Sequence, residues 1–329
     1  MPTHLPLFLL LLLLSSSLLL SSSQHPICTL TSPSFCTGFY HQFKPFNLRF
    51  PHSGVNTIFH GVNIRSAIRA VDIDGDGDFD LVAGGSDDVS SLALRYAENV
   101  GTSTHPQWTM RSSSLSNPFH GIGMTATRSA VLEFVDLDQD GDMDLIVGYS
   151  RSGTAAFDAK RFCPLDPLDL LGGAPYPIKY YENKGTRLVP NFETSPSLPV
   201  WLQSDMFKQK MHSPPVVDML SPLARDFDGD GDVDLLFGTC DGSFLFFKNL
   251  HSETGRLTFE DATGHATHNP FYNMDVGSAK QLAVPEAVDI DNDGDLDLVV
   301  GRFIQSKVGG EIKYYENIGS VRNPAFTER

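Results

Sequence analysis

Four stretches of this chain crowd carboxylates together closely enough to call for a cation. They hold Asp72, Asp74, Asp76, Asp78 and Asp80; Asp136, Asp138, Asp140, Asp142 and Asp144; Asp226, Asp228, Asp230, Asp232 and Asp234; and Asp289, Asp291, Asp293, Asp295 and Asp297. Each sets five aspartates at alternate positions of nine residues, with a glycine at the sixth: Gly77, Gly141, Gly231 and Gly294. Such carboxylates repel one another unless a positive ion sits among them, and hard oxygens in flexible geometry suit Ca²⁺ better than a softer metal. The spacing D-x-D-x-D-G matches the start of an EF-hand loop, where glycine permits the sharp turn after the third ligand. The EF-hand reading then fails, because the twelfth place, which needs a bidentate Glu, holds Ala83, Val147, Phe237 and Val300. An aspartate at the ninth place closes the site instead. Side-chain ligands are therefore expected at the first, third, fifth and ninth places, with Asp78, Asp142, Asp232 and Asp295 contributing mainly carbonyl oxygens. The expected Ca²⁺ ions, about four, are structural, since four protein carboxylates leave little room for substrate.

The elements that hold these loops repeat with them. The loops begin at 72, 136, 226 and 289, at intervals of 64, 90 and 63 residues. Short apolar runs closed by glycine follow: Leu81 to Gly84, Leu145 to Gly148, Leu235 to Gly238 and Leu298 to Gly301. These are too short for helices and apolar on both faces, so they are expected as buried strands, entered from Ala70-Val71, Phe134-Val135 and Ala287-Val288. Further on, apolar or aromatic residues stand five and three places before Asn99, Asn183, Asn249 and Asn317, a period of two that ends in a turn. Trp108, Phe192, Phe259 and Phe326 then open another strand. The distance from loop start to Asn is 27, 47, 23 and 28 residues, which puts an insertion of about 20 residues in the second unit, within Arg151 to Pro177. That insertion is either a surface excursion or a binding loop. About four strands in ~60 residues fits an all-β propeller blade.

The matching text resembles the FG-GAP/VCBS repeats, similar to the calcium-bearing blades of the integrin alpha-subunit β-propeller. It runs Asn-Pro-Phe at 117 to 119 and 269 to 271, then D-x-D-x-D-G-D-x-D-L-x-x-G, then Y-x-E-N-x-G or its shorter form Y-E-N-x-G, as in Tyr181 to Gly185 and Tyr315 to Gly319, then Asn323-Pro324-Ala325-Phe326. The likeness covers residues 56 to 329. Departures are Asn56-Thr57-Ile58-Phe59 in the first unit, and Met206-Phe207 and Asn249-Leu250-His251 in the third. The resemblance implies a β-propeller, or part of one, of about four blades. It also implies use as a scaffold for extracellular recognition or cell adhesion, with a protein or glycan ligand. The alternative it carries is a propeller-type, lyase-like enzyme or enzyme-associated domain acting on polysaccharide.

Composition narrows the classes further. The net charge is −16, yet the loops hold 20 of the 40 acidic residues, leaving 20 acids against 24 Lys and Arg. The acidity thus belongs to the metal loops and argues against nucleic acid as a partner. Leu5 to Leu14, resumed at Leu18-Leu19-Leu20 and followed by Ser21-Ser22-Ser23, reads as a signal peptide over residues 1 to 23. A secreted or cell-surface protein with no membrane span in its mature chain is expected, with a leader over 24 to 55 and the repeat domain over 56 to 329. Cys28, Cys36, Cys163 and Cys240 permit two disulfides in three connectivities, Cys28 to Cys36 being the most local. No HExxH, G-x-S-x-G or Walker motif is present and no catalytic residue is expected. His265-Ala266-Thr267-His268 is read as a surface turn able to bring two imidazoles together. Trp108, Trp201 and the pairs Tyr180-Tyr181 and Tyr314-Tyr315 either stack on sugars or fill the core between blades.

Overall fold

The computed structural model describes residues 68–84, 94–120, 122, 130–149, 178–194, 220–274, 276, 282–303 and 310–329. The signal peptide, the leader, the 151–177 insertion, Cys28, Cys36, Cys163 and Trp201 lie outside the described residues. Among the described residues, sixteen strands form four antiparallel sheets of four, each a simple meander. The first comprises β1 (Ile68–Val71), β2 (Asp80–Ala83), β3 (Arg95–Asn99) and β4 (Trp108–Arg111). The second comprises β5 (Ala130–Val135), β6 (Asp144–Tyr149), β7 (Ile178–Asn183) and β8 (Phe192–Thr194). The third is β9 (Ser221–Arg225), β10 (Asp234–Gly238), β11 (Phe244–Asn249) and β12 (Phe259–Asp261). The fourth is β13 (Ala283–Val288), β14 (Asp297–Phe303), β15 (Gly310–Asn317) and β16 (Phe326–Glu328). The only helix among the described residues is α1 (His251–Thr254). The described residues form an all-β propeller of four blades.

Neighbouring blades meet through their first strands, β1 on β5, β5 on β9 and β9 on β13. The core accordingly lies between blades. Val82, Tyr96, Leu132, Leu145 and Tyr181 join the first to the second, and Ile146, Tyr180, Leu235 and Phe247 join the second to the third. Leu223, Phe246, Val300 and Tyr315 join the third to the fourth. The tyrosine pair of the second blade is therefore core. The Asn-Pro-Phe segments act as staples. Phe119 is fully buried and stacks on Phe192 of the next blade with centroids 4.9 Å apart, and Phe271 stacks on Phe326 at 5.1 Å. Asn117 and Asn269 fix these segments by accepting the N–H of Phe119 and of Phe271, each at 2.9 Å.

The glycine that follows the apolar run of the second strand has a packing reason in the second and third blades. A Cβ on Gly148 would stand 1.8 Å from the Leu220 carbonyl oxygen, and one on Gly238 would stand 2.3 Å from that of Ala283. Both positions lie where the strand passes beneath the entry to the next blade. Gly301 of the fourth blade meets no such neighbour among the described residues, its nearest contact being Val284 O at 3.8 Å.

Charged side chains link the first strands. Glu133 on β5, 3 % exposed, accepts from Arg69 of β1 at 3.1 Å and from Arg225 of β9 at 2.8 Å, and Arg225 reaches on to Glu286 of β13 at 2.9 Å. Arg69 and Glu286 also act on each other electrostatically across the molecule, so two cations and two anions balance among four blades. Burial pushes the Glu286 carboxyl up, against the pull of Arg69 and Arg225.

Candidate metal centre

Each aspartate loop is the hairpin turn between the first two strands of a blade. The antiparallel register places Val71 opposite Asp80 and Asn99 opposite Trp108, so the loop and the turn between the third and fourth strands share one end of the sheet. Within the loop the first aspartate accepts the N–H of the sixth-place glycine: Gly77 to Asp72 at 3.2 Å, Gly141 to Asp136 at 3.0 Å, Gly231 to Asp226 at 3.0 Å and Gly294 to Asp289 at 3.1 Å. These glycines have φ of 95° to 100° and open space where a Cβ would stand, so they serve the left-handed turn.

This turn draws the aspartates at the first, third and fifth places together. One carboxylate oxygen each of Asp72, Asp74 and Asp76 lies within 4.8 Å of the other two, and the same holds for Asp136, Asp138 and Asp140, for Asp226, Asp228 and Asp230, and for Asp289, Asp291 and Asp293. The seventh-place side chains are buried beneath, with Asp78 and Asp142 each 7 % exposed. Oδ1 of Asp72, Asp78, Asp136, Asp142, Asp228 and Asp295 is buried without a hydrogen-bond partner among the described residues. Desolvation, reinforced by the neighbouring aspartates, pushes up the carboxyls of Asp74, Asp78, Asp138, Asp142 and Asp295. Inward-facing, unpartnered, destabilised carboxylate oxygens are the donor set that a hard divalent cation satisfies, so the residues fit Ca²⁺.

The ninth-place aspartates are arranged differently, outside these three-carboxylate groups. Asp80 Oδ2 accepts the Ile73 N–H at 3.2 Å and the Tyr96 hydroxyl at 2.8 Å, while Oδ1 accepts the Asn99 N–H at 2.8 Å. Asp144 repeats this with Leu137, Tyr180 and Asn183, and Asp297 with Ile290, Tyr314 and Asn317. The Tyr and Asn of the downstream motif are thus donors to the last aspartate of the loop, clasping loop to third strand. The Asn side chain then pins the next turn: Asn99 Oδ1 accepts from Gly101 at 3.1 Å and Gln107 at 2.9 Å. A Cβ on Gly101 would stand 2.4 Å from the His105 carbonyl oxygen, which accounts for the glycine of Asn-x-Gly. Burial raises Asp80 to about 6 and Asp144 to about 7, against the lowering effect of the Asn and Tyr donors.

The third blade departs at three linked positions. Phe246 replaces the tyrosine and offers no hydroxyl, and burial takes Asp234 up to about 8. His251 stands where glycine is needed, and the turn becomes α1, whose Ser252 N–H binds Asp232; burial pushes this carboxyl up, but the bonds from Ser252 and Gln139 together with His251 hold it below its usual range. Lys248 replaces the glutamate of the motif. Glu98 pairs with Arg111 and Glu316 with Arg329, but Lys248 turns its ammonium into the loop, onto Asp228 and, at 3.2 Å, Asp230. The third loop therefore carries a cation of its own. The first loop is capped from the second blade, where Arg187 Nη2 donates to Asp72 at 2.9 Å.

Motif spacing showed the loops, but the aspartate clasp and the Lys248 contact required the fold, because the Tyr, Asn and Lys partners lie 15 to 39 residues away from the aspartate they bind. Cys240 is in a disulfide whose partner lies outside the described residues. No helix among the described residues is long and apolar enough to cross a membrane.

Fold and loops together define a class: an all-β propeller whose blades share an aspartate-rich first turn. Residues 226–300 match the family model of the FG-GAP-like repeat, from the first ligand position of the third loop to the second strand of the fourth blade. The chain thus carries an FG-GAP-like repeat there, and the other blades repeat its loop, clasp and strand order. No curated protein matches the sequence. Among solved structures the chain is similar to Bacillus licheniformis Rhamnogalacturonan Lyase PL11, at 12% identity and a TM-score of 0.32. That similarity covers 80% of this chain and 50% of that one, so this chain spans about half its length. A likeness of that size says nothing about activity.

Proposed function

We propose that this protein is a secreted or cell-surface recognition scaffold whose blades are held by Ca²⁺, presenting its loops to an extracellular protein or glycan. The observation that carries the reading is the fourfold recurrence of three converging carboxylates, set above a buried, unpartnered seventh-place aspartate oxygen in the first, second and fourth blades. The first, third and fifth aspartates would hold each ion, with the seventh residue beneath them. Bound there, Ca²⁺ supplies charge neutralisation and cross-links the turn, and contributes folding free energy rather than chemistry. The disulfide at Cys240 suits an oxidising compartment, in keeping with the apolar amino-terminal segment. The scaffold role suits a molecule whose repeated polar residues are absorbed by loops, clasps and inter-blade ion pairs.

Thermal unfolding of the secreted chain in Ca²⁺, in Mg²⁺ and in EDTA tests the metal, and a glycan and extracellular-protein array in the calcium form tests the ligand. A Ca²⁺-specific rise in Tm with calcium-dependent binding is expected. Equal Tm in all three conditions would overturn the metal reading, and turnover of a bound polysaccharide would replace the scaffold by an enzyme.

A further inference from the structure

We propose that Glu260, His265 and His268 form a transition-metal site of the Zn²⁺ class on the outer edge of the third blade, separate from the aspartate loops. Glu260 stands on the edge strand β12, and the chain returns past it in a compact turn. The His268 N–H donates to His265 O at 3.3 Å and the Asn269 N–H to the same oxygen at 3.0 Å. That turn sets the two histidines three residues apart on one face. Both Nδ1 atoms converge on one oxygen, Glu260 Oε1, at 3.9 Å from His265 and 3.2 Å from His268. The two rings lie nearly parallel, 18° apart, and ligand atoms of all three residues fall within 4.8 Å of one another.

Those separations suit a small tetrahedral ion. With metal–ligand bonds of ~2.0–2.2 Å the ligands of a tetrahedral Zn²⁺ stand about 3.3 Å apart, so side-chain adjustments of about an ångström complete the site. The backbone is already held. Ala262, Asn269 and Phe271 are buried, the Asn269 side chain donates to Thr263 O at 3.2 Å, and Phe271 packs on Phe326. Glu260 is also free of its cross-strand neighbour: Lys248 faces it in the β11–β12 register, but that ammonium is taken by Asp228 and Asp230. Two imidazoles and one carboxylate select Zn²⁺, Ni²⁺ or Cu²⁺ over Ca²⁺, the reverse of the all-oxygen loops. Three protein ligands leave a fourth position open to water or a partner's side chain. Glu260 and His268 line a groove that also holds Asn323 and Pro324 of the next blade, which gives that position somewhere to face.

The test is calorimetric titration of Zn²⁺ into the full chain kept in excess Ca²⁺, so that the aspartate loops do not compete. One Zn²⁺ per chain is expected, weakened about tenfold or more in His268→Ala and in Glu260→Gln, and unchanged in His105→Ala. All three variants should keep the wild-type Tm in Ca²⁺, since each side chain is at least half-exposed or at an edge. Wild-type Zn²⁺ binding in the two site variants, or no heat with up to ~100 μM Zn²⁺, would overturn the site.

Discussion

Replacing Tyr96 by Phe removes one hydroxyl and probes the clasp that joins loop to blade. The Tyr96 hydroxyl donates to Asp80 Oδ2 at 2.8 Å in a buried setting, leaving the N–H groups of Ile73 and Asn99 as the other donors. A hydrogen bond to a charged group is worth about 1.5–3 kcal/mol, and in a domain of this size each kcal/mol moves Tm by about 2–4 °C. A loss of about 2 kcal/mol, seen as a fall in Tm of about 4–8 °C, is therefore expected in EDTA-treated protein followed by circular dichroism. The third blade carries this change naturally, Phe246 standing in place of tyrosine, and there burial and the nearby Asp228 and Asp230 carry Asp234 to about 8. Carbon-13 titration of the Asp80 carboxyl should accordingly show a higher pKa in Tyr96→Phe. Unchanged stability, within about 0.5 kcal/mol, together with an unmoved Asp80 titration would refute the clasp.

Other consequences are equally direct. The folded-state values of Asp80, Asp144 and Asp234, about 6, 7 and 8, exceed the ordinary 3.8, so the folded state binds these protons more tightly than the unfolded one. Stability of the metal-free protein should therefore rise as pH falls from about 8 to 6 in EDTA melts, and Ca²⁺-loaded protein should show a smaller gain, because the nearby divalent charge favours the ionised carboxylates. Lys248→Ala removes the third loop's internal cation: the metal-free Tm should fall, and Ca²⁺ titration should show one site tightening. Gly238→Ala forces a Cβ to 2.3 Å from the Ala283 carbonyl oxygen, whereas Gly301→Ala meets nothing nearer than 3.8 Å among the described residues. The first should cost about 1–3 kcal/mol or more in urea denaturation and the second little.

Much of the fold was legible because its signals are local. A nine-residue loop, a glycine-closed apolar run and an alternating strand ending in Asn each lie within one hairpin, so spacing alone placed them. The aromatic residues Trp108, Phe192, Phe259 and Phe326 do begin the fourth strand of each blade. The incoming strand of the third blade, Ser221–Arg225, was harder to see: its proline and terminal arginine break the apolar pattern, and only the propeller shows Arg225 bridging Glu133 and Glu286. The role of the ninth aspartate was also hidden. Spacing reads an acidic residue closing a metal loop as a ligand, but its ties to Tyr96 and Asn99 come from the pairing of β2 with β3. Likewise Lys248 reads as one more departure in the motif until the fold turns it onto Asp228.

Calcium stoichiometry tests the central claim most directly. Protein stripped with EDTA and exchanged into chelator-free buffer is titrated with Ca²⁺ by calorimetry. Saturable binding at three similar sites, joined by a weaker fourth at the Lys248 loop, is the predicted result. The absence of any saturable heat up to millimolar Ca²⁺, a range that spans known extracellular calcium modules, would contradict it.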